Sequence, residues 1–179
     1  MAGTDKSEHA FGFGSMKIMV FLHGTAIMHR NAQGLSREER VRQVKEGKDK
    51  SLRDFASYVP VGDVVNKLQS WRGQGAEIVY LSSHRKAEDV EKDRHVLRKY
   101  GFPGDEIFFR QPGETYASVA ERIMPDVLVE DDCESIGGQP EMTYPHIRQD
   151  ARAKIKSVII KEFGGIDQLP DDVHELDSR

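Results

Sequence analysis

KIMVFLHGT, residues Lys17 to Thr25, is an apolar run closed by a turn signal at Gly24. A run of this kind reads as a buried strand over residues 17–22, which leaves His23 and Thr25 at its carboxyl end. Two later runs repeat the plan. AEIVYL, residues 76–81, leads into Ser82-Ser83-His84, and DVLV, residues 126–129, leads into Glu130-Asp131-Asp132. Open parallel sheets bind ligands outside the carboxyl ends of their strands. The three polar tips are therefore expected to meet around one crevice.

The sequence between these runs is helical in pattern. Val64, Val65, Leu68 and Trp71 form one apolar stripe, closed by Gly73 and Gly75. A second helix is expected from His84 to Tyr100, with Val90, Val96, Leu97 and Tyr100 facing inward. EIFF, residues 106–109, is a short strand; residues 114–124 form a helix, residues 141–156 include a short one, and residues 157–160 form the last strand. Regular alternation of strand and helix predicts an α/β, three-layer, doubly wound and mostly parallel sheet. Residues 16–170 form a single domain on this reading. Residues 163–167 look like a surface turn and residues 171–179 like an acidic tail. Residues 1–15, polar and glycine-rich, are either an artificial leader before a native start at Met16 or a natural disordered tail.

Residues 28–58 lie between the first strand and the next core helix. Ser36-Arg-Glu-Glu39 matches a capping box, which starts a helix there that Gly47 ends. The segment is short enough to be a small lid or flap. Its basic residues, Arg37 and Arg53 among them, either form a solvated helix face or meet an anionic substrate.

Composition narrows the function. The chain has 179 residues, 37% hydrophobic and 31% charged, with a formal net charge of −4. That balance disfavours nucleic acid and anionic membrane as general partners. No apolar run approaches the ~20 residues of a spanning helix. Cys133 is the single cysteine, which excludes an intrachain disulfide and a zinc–cysteine cluster and fits a cytoplasmic protein.

Taken together, the strand tips resemble the haloacid-dehalogenase-like (HAD-like) phosphohydrolase superfamily, with its Rossmann-like sheet. That family ends its first strand in Asp-x-Asp-Gly-Thr, its second in Ser or Thr, and a late strand in an acidic pair. Gly24, Thr25, Ser82 and Asp131/Asp132 match. EDDCESIGG and IKSVIIKEFGGIDQLP are similar to an uncharacterised HAD-like group. The first motif is degenerate, because Phe21 and His23 stand where the family has its two aspartates. A phenyl ring cannot attack phosphorus, so the resemblance implies the fold without the covalent nucleophile.

The same resemblance implies site roles. His23 replaces the general acid/base and, titrating near neutral pH, can act as one; with Asp131 it is the catalytic candidate. Asp131 and Asp132 are the candidate Mg²⁺ residues, at a site weakened by the missing oxygen at Phe21. Their alternative role is to cap a helix or bind loop amides. Gly24, Thr25, Ser82 and Ser83 are candidates for phosphate contact, with Ser82 or Ser83 also able to cap the next helix. Arg110 stands in for the family's basic residue. His23 and His84 could also bind a metal through neutral imidazole. The expected activity is binding of a phosphorylated small molecule. The alternative is a noncanonical metal-dependent phosphohydrolase with His23 as general acid/base. A response-regulator-like or flavodoxin-like module is disfavoured, since the first strand carries no acidic pair.

Overall fold

The computed structural model describes residues 14–177. The leader expected over residues 1–15 lies outside the described residues except for Gly14 and Ser15. Five strands, β1 (Lys17–Phe21), β4 (Glu77–Leu81), β5 (Ile107–Phe108), β6 (Val127–Asp131) and β7 (Lys156–Ile160), form one sheet in the order β5-β4-β1-β6-β7. All four neighbouring pairs are parallel. Two further strands, β2 (Ile27–Met28) and β3 (Val59–Pro60), pair antiparallel in a small separate ladder.

The central strand shows why the sheet is covered on both faces. Ile18, Val20 and Leu22 point into one apolar cluster, and Met19 and Phe21 into another. Side chains alternate across a strand, so an unbroken apolar run must be buried on both sides. On the first face lie α2 (Val64–Gly73) and α3 (Ala87–Tyr100), through Val64, Leu68, Trp71, Val90, Val96 and Leu97. On the second lie α4 (Tyr116–Ile123) and the short α5 (Gln149–Arg152), through Ala117, Val119, Ala120 and Ala151. The expected three-layer, doubly wound architecture is the one observed.

The chain runs outward from β1 to β4 and β5, then crosses back to β6 and β7 on the other side. Strand order therefore reverses at β1, which sets the carboxyl ends of β1, β4 and β6 side by side. Between β2 and β3, residues 29–58 form an excursion built on α1 (Arg37–Glu46) and three short 3-10 turns. The Ser36/Glu39 capping box is present, and Gly47 ends α1 in the left-handed conformation. Only Val41 of α1 is buried, in keeping with its charged sequence.

Two expectations need correcting. The helix after β4 begins at Ala87, capped by Lys86 without a side-chain bond, not at His84; the intervening residues make a loop held by side chains. The stretch after β7 is not a surface turn and tail. Phe163, Ile166, Val173 and Leu176 are buried, and Trp71 Nε1 donates to Pro170 O at 3.0 Å. Alternating charge with apolar residues hid an irregular segment whose apolar side chains all turn inward.

Candidate functional site

A cavity of about 490 Å³ opens at the carboxyl edge of the sheet. Phe21, His23, Ser83, Arg110 and Asp131 line it from the strand ends, and Met28, His29, Leu52, Arg53 and Tyr58 from the excursion. The three strand tips thus converge, but their polar groups divide into two sets.

The first set surrounds His23. Its Nδ1 lies 2.8 Å from Ser83 Oγ, and its Nε2 lies 3.0 Å from Asp93 Oδ1. The other Asp93 oxygen accepts from Ser82 Oγ at 2.6 Å. His84 Nε2 stands 3.6 Å from Asp93 Oδ1, and that nitrogen is buried without a hydrogen-bond partner. Burial, reinforced by the neighbouring His23, pushes the His84 pKa down and favours the neutral ring. Among the described residues, His23, His84 and Asp93 are the group of three whose ligating atoms fall within 4.8 Å of one another. Asp93 is fully buried. It escaped the sequence reading, although a signal was there: Asp93 shares the stripe of Val90, Val96 and Leu97, where a carboxylate has no business without partners.

The second set surrounds Asp131. Thr25 Oγ1 donates to Asp131 Oδ2 at 2.7 Å, and the Cys133 amide donates to Asp131 Oδ1 at 2.9 Å. Burial raises the Asp131 pKa, against the pull of those two donors. Gly24 makes the close approach possible: it has φ +87°, and a Cβ there would lie 3.0 Å from Asp131 Oδ2. Burial also raises the Cys133 thiol pKa, with Asp131 adding to it, which disfavours the thiolate.

The acidic tip does not act as one cluster. Glu130 accepts from the Thr143 and Tyr144 amides at 2.7 and 2.8 Å. Asp132 accepts from the Glu162 amide at 3.1 Å and pairs with Lys161 at 3.0 Å. Each of the three carboxylates binds loop amides, which for Asp131 and Asp132 is the alternative the sequence left open. Asp132 does not line the cavity, and no helix begins near Glu134. Ser82 does not line the cavity either; it is fully buried, donates to Asp93 and accepts from the His84 amide at 3.1 Å.

Arg110 does reach the cavity. Its guanidinium stacks 3.9 Å from the centre of the Tyr116 ring, and Nη2 donates to Ser83 O at 2.9 Å. Its Nε is buried without a partner, and burial lowers its pKa. Phe21 meets the same Tyr116 edge-on, with ring centroids 5.2 Å apart. Of the basic residues in the excursion, Arg53 lines the cavity. Arg37 is instead tied to Glu134 at 2.7 Å, and Arg40 to the carbonyls of Ala32 and Phe163. His146 borders a neighbouring cavity with Arg110, and Arg148 pairs with Glu121.

No family model matches the chain, and no curated protein matches it in sequence. Solved structures do. Class C acid phosphatase from Bacillus anthracis, with tungstate bound, superposes at TM-score 0.55 with 16% identity, over 93% of this chain and 78% of its own. A second structure of that phosphatase gives TM-score 0.56 at the same identity and coverage. The chain shares the α/β fold of that phosphatase. A HAD family hydrolase from Deinococcus radiodurans R1, with bound phosphate and sodium, is more distant, at TM-score 0.42 and 10% identity over 83% of this chain and 92% of its own. At such identities the likeness to the phosphatase speaks for the fold alone. Among the described residues, no helix is long and apolar enough to cross a membrane.

Proposed function

We propose that this protein binds a phosphate-bearing small molecule at the carboxyl edge of its sheet without forming an aspartyl-phosphate. Arg110 carries the reading. Among the described residues no carboxylate pairs with it, its Nε lacks a partner, and it borders the cavity. A half-buried guanidinium with donors to spare calls for an anion, and phosphate oxygens suit its fork. Phe21, at the end of β1, brings no oxygen with which to attack phosphorus. Ser83 and Arg53 add further donors to the cavity wall, and residues 28–58 serve as its lid. The buried thiol of Cys133 suits a cytoplasmic setting.

The residues at Asp131 fit magnesium poorly. Thr25 and the Cys133 amide occupy its two oxygens, Lys161 engages Asp132, and Phe21 offers nothing. No step is therefore assigned to Mg²⁺.

One observation favours hydrolysis as the second reading. Asp93, His23 and Ser83 form a hydrogen-bonded chain. When Nε2–H faces Asp93, Nδ1 is free to accept a proton from Ser83 or from water, which is the arrangement a general base needs.

The test is thermal melting of wild type and Arg110→Gln with inorganic phosphate, sugar phosphates and nucleotides, alongside release of phosphate from the same compounds. At a hundred times Kd, a ligand stabilises by about 2.7 kcal/mol, so a clear rise in Tm is expected in wild type and its loss in Arg110→Gln. No rise with any phosphate compound refutes the reading. Turnover abolished in His23→Ala would establish the hydrolytic alternative.

A further inference from the structure

We infer that His23, His84 and Asp93 form a binding site for a transition-metal ion of the zinc class, apart from the acidic tip of β6 and independent of the phosphate reading. Three observations carry it. The ligating atoms converge within 4.8 Å. His23 Nε2 and His84 Nε2 lie 3.0 and 3.6 Å from Asp93 Oδ1; ligands about 2.0–2.1 Å from a tetrahedral Zn²⁺ stand roughly 3.3–3.4 Å apart. Finally, His84 Nε2 is buried and unpartnered. A buried imidazole nitrogen with no hydrogen bond is costly, and an ion shared with Asp93 and His23 would satisfy it.

The surroundings suit the same conclusion. Ligating histidines normally give their other N–H to an orienting acceptor, and ligating carboxylates are themselves hydrogen-bonded. His23 has Ser83 Oγ on Nδ1, and Asp93 has Ser82 Oγ on its second oxygen. Two imidazoles and one carboxylate favour Zn²⁺, Co²⁺ or Ni²⁺ over Mg²⁺, which prefers oxygen ligands and keeps its waters. His23 lines the cavity, so a water or a ligand atom can complete the coordination from that side. Ion binding and the Asp93–His23–Ser83 chain compete for one nitrogen: with Nε2 on a metal, Nδ1 carries the proton and donates to Ser83 Oγ, in place of the long contact it accepts from the Ser83 amide at 3.4 Å.

The experiment is titration of the chelator-treated 179-residue chain with Co²⁺, followed by visible absorption, with no phosphate compound present. Wild type is expected to develop the intense bands of four-coordinate Co²⁺, to lose them on addition of Zn²⁺, and to be unaffected by excess Mg²⁺. His84→Gln and Asp93→Asn should each lose the bands, and His95→Gln, which alters an exposed histidine on α3, should keep them. Should the buried substitutions unfold the protein, the wild-type spectrum still decides. A wild-type spectrum that stays that of hydrated Co²⁺ overturns the inference, as does a folded His84→Gln that binds Co²⁺ like wild type.

Discussion

Gly24 shows how one residue can govern the site. The residues around it, His23 and Thr25, serve the two polar sets separately, His23 toward Asp93 and Thr25 toward Asp131. The turn needs φ +87° at Gly24, and its missing Cβ leaves room for Asp131 Oδ2 at 3.0 Å and Glu162 Cγ at 3.2 Å. Gly24→Ala should therefore destabilise the fold by about 1–3 kcal/mol, read as a lower urea midpoint at unchanged slope. A midpoint equal to wild type would mean that the turn relaxes without straining Asp131. Cys133, also at positive φ (52°), donates its amide to the same carboxylate, so Asp131 is held from both sides by backbone in unusual conformations.

At the scale of elements, the segment after β7 is the one most at odds with its sequence. Leu176 is fully buried, and the Val173 amide donates to Gln74 Oε1 at 2.9 Å. Together with Trp71 this ties residues 166–176 to α2. Leu176→Ala should cost about 2–5 kcal/mol, as for a buried leucine in a helix-packed core. Equilibrium unfolding measures this; a loss below ~0.5 kcal/mol, the range of surface substitutions, would return the segment to the status of a tail. The excursion between β2 and β3 is the opposite case. Its capping box and terminal glycine were legible because caps are local, whereas the use of Arg37 and Arg40 to anchor it was not.

At the scale of the whole molecule, three buried carboxyl groups contribute to the pH response in one direction. Burial raises the pKa of Glu130, Asp131 and Glu162 above their ordinary values of 4.5, 3.8 and 4.5. A raised folded pKa means that the folded state binds protons more tightly, so stability is full below the unfolded value and declines as pH rises through the folded one. His84, with a lowered pKa, acts in the opposite sense below 6.5. A difference measurement separates the two. Asp131→Asn cannot ionise, so its stability relative to wild type should climb as pH rises from 3.8 upward. Urea unfolding across that range tests it; a relative stability that falls with pH would show that Thr25 and the Cys133 amide outweigh burial.

Strand and helix alternation, the covered central strand and the meeting of three strand tips were determined by the sequence itself. They follow from local pattern: the unbroken apolar run of β1, the helical stripes of α2 and α3, and glycines at the breaks. The choice among polar groups was decided only by tertiary structure. Ser82 and Ser83 are adjacent in sequence yet face opposite surroundings, one bonded to buried Asp93 and one to His23 at the cavity. Asp131 and Asp132 part in the same way, toward Thr25 and toward Lys161. Asp93 enters the site from a helix that no motif marks. Partners at separations of 11, 70 and 106 residues are fixed by how the layers pack, and packing has no local signature.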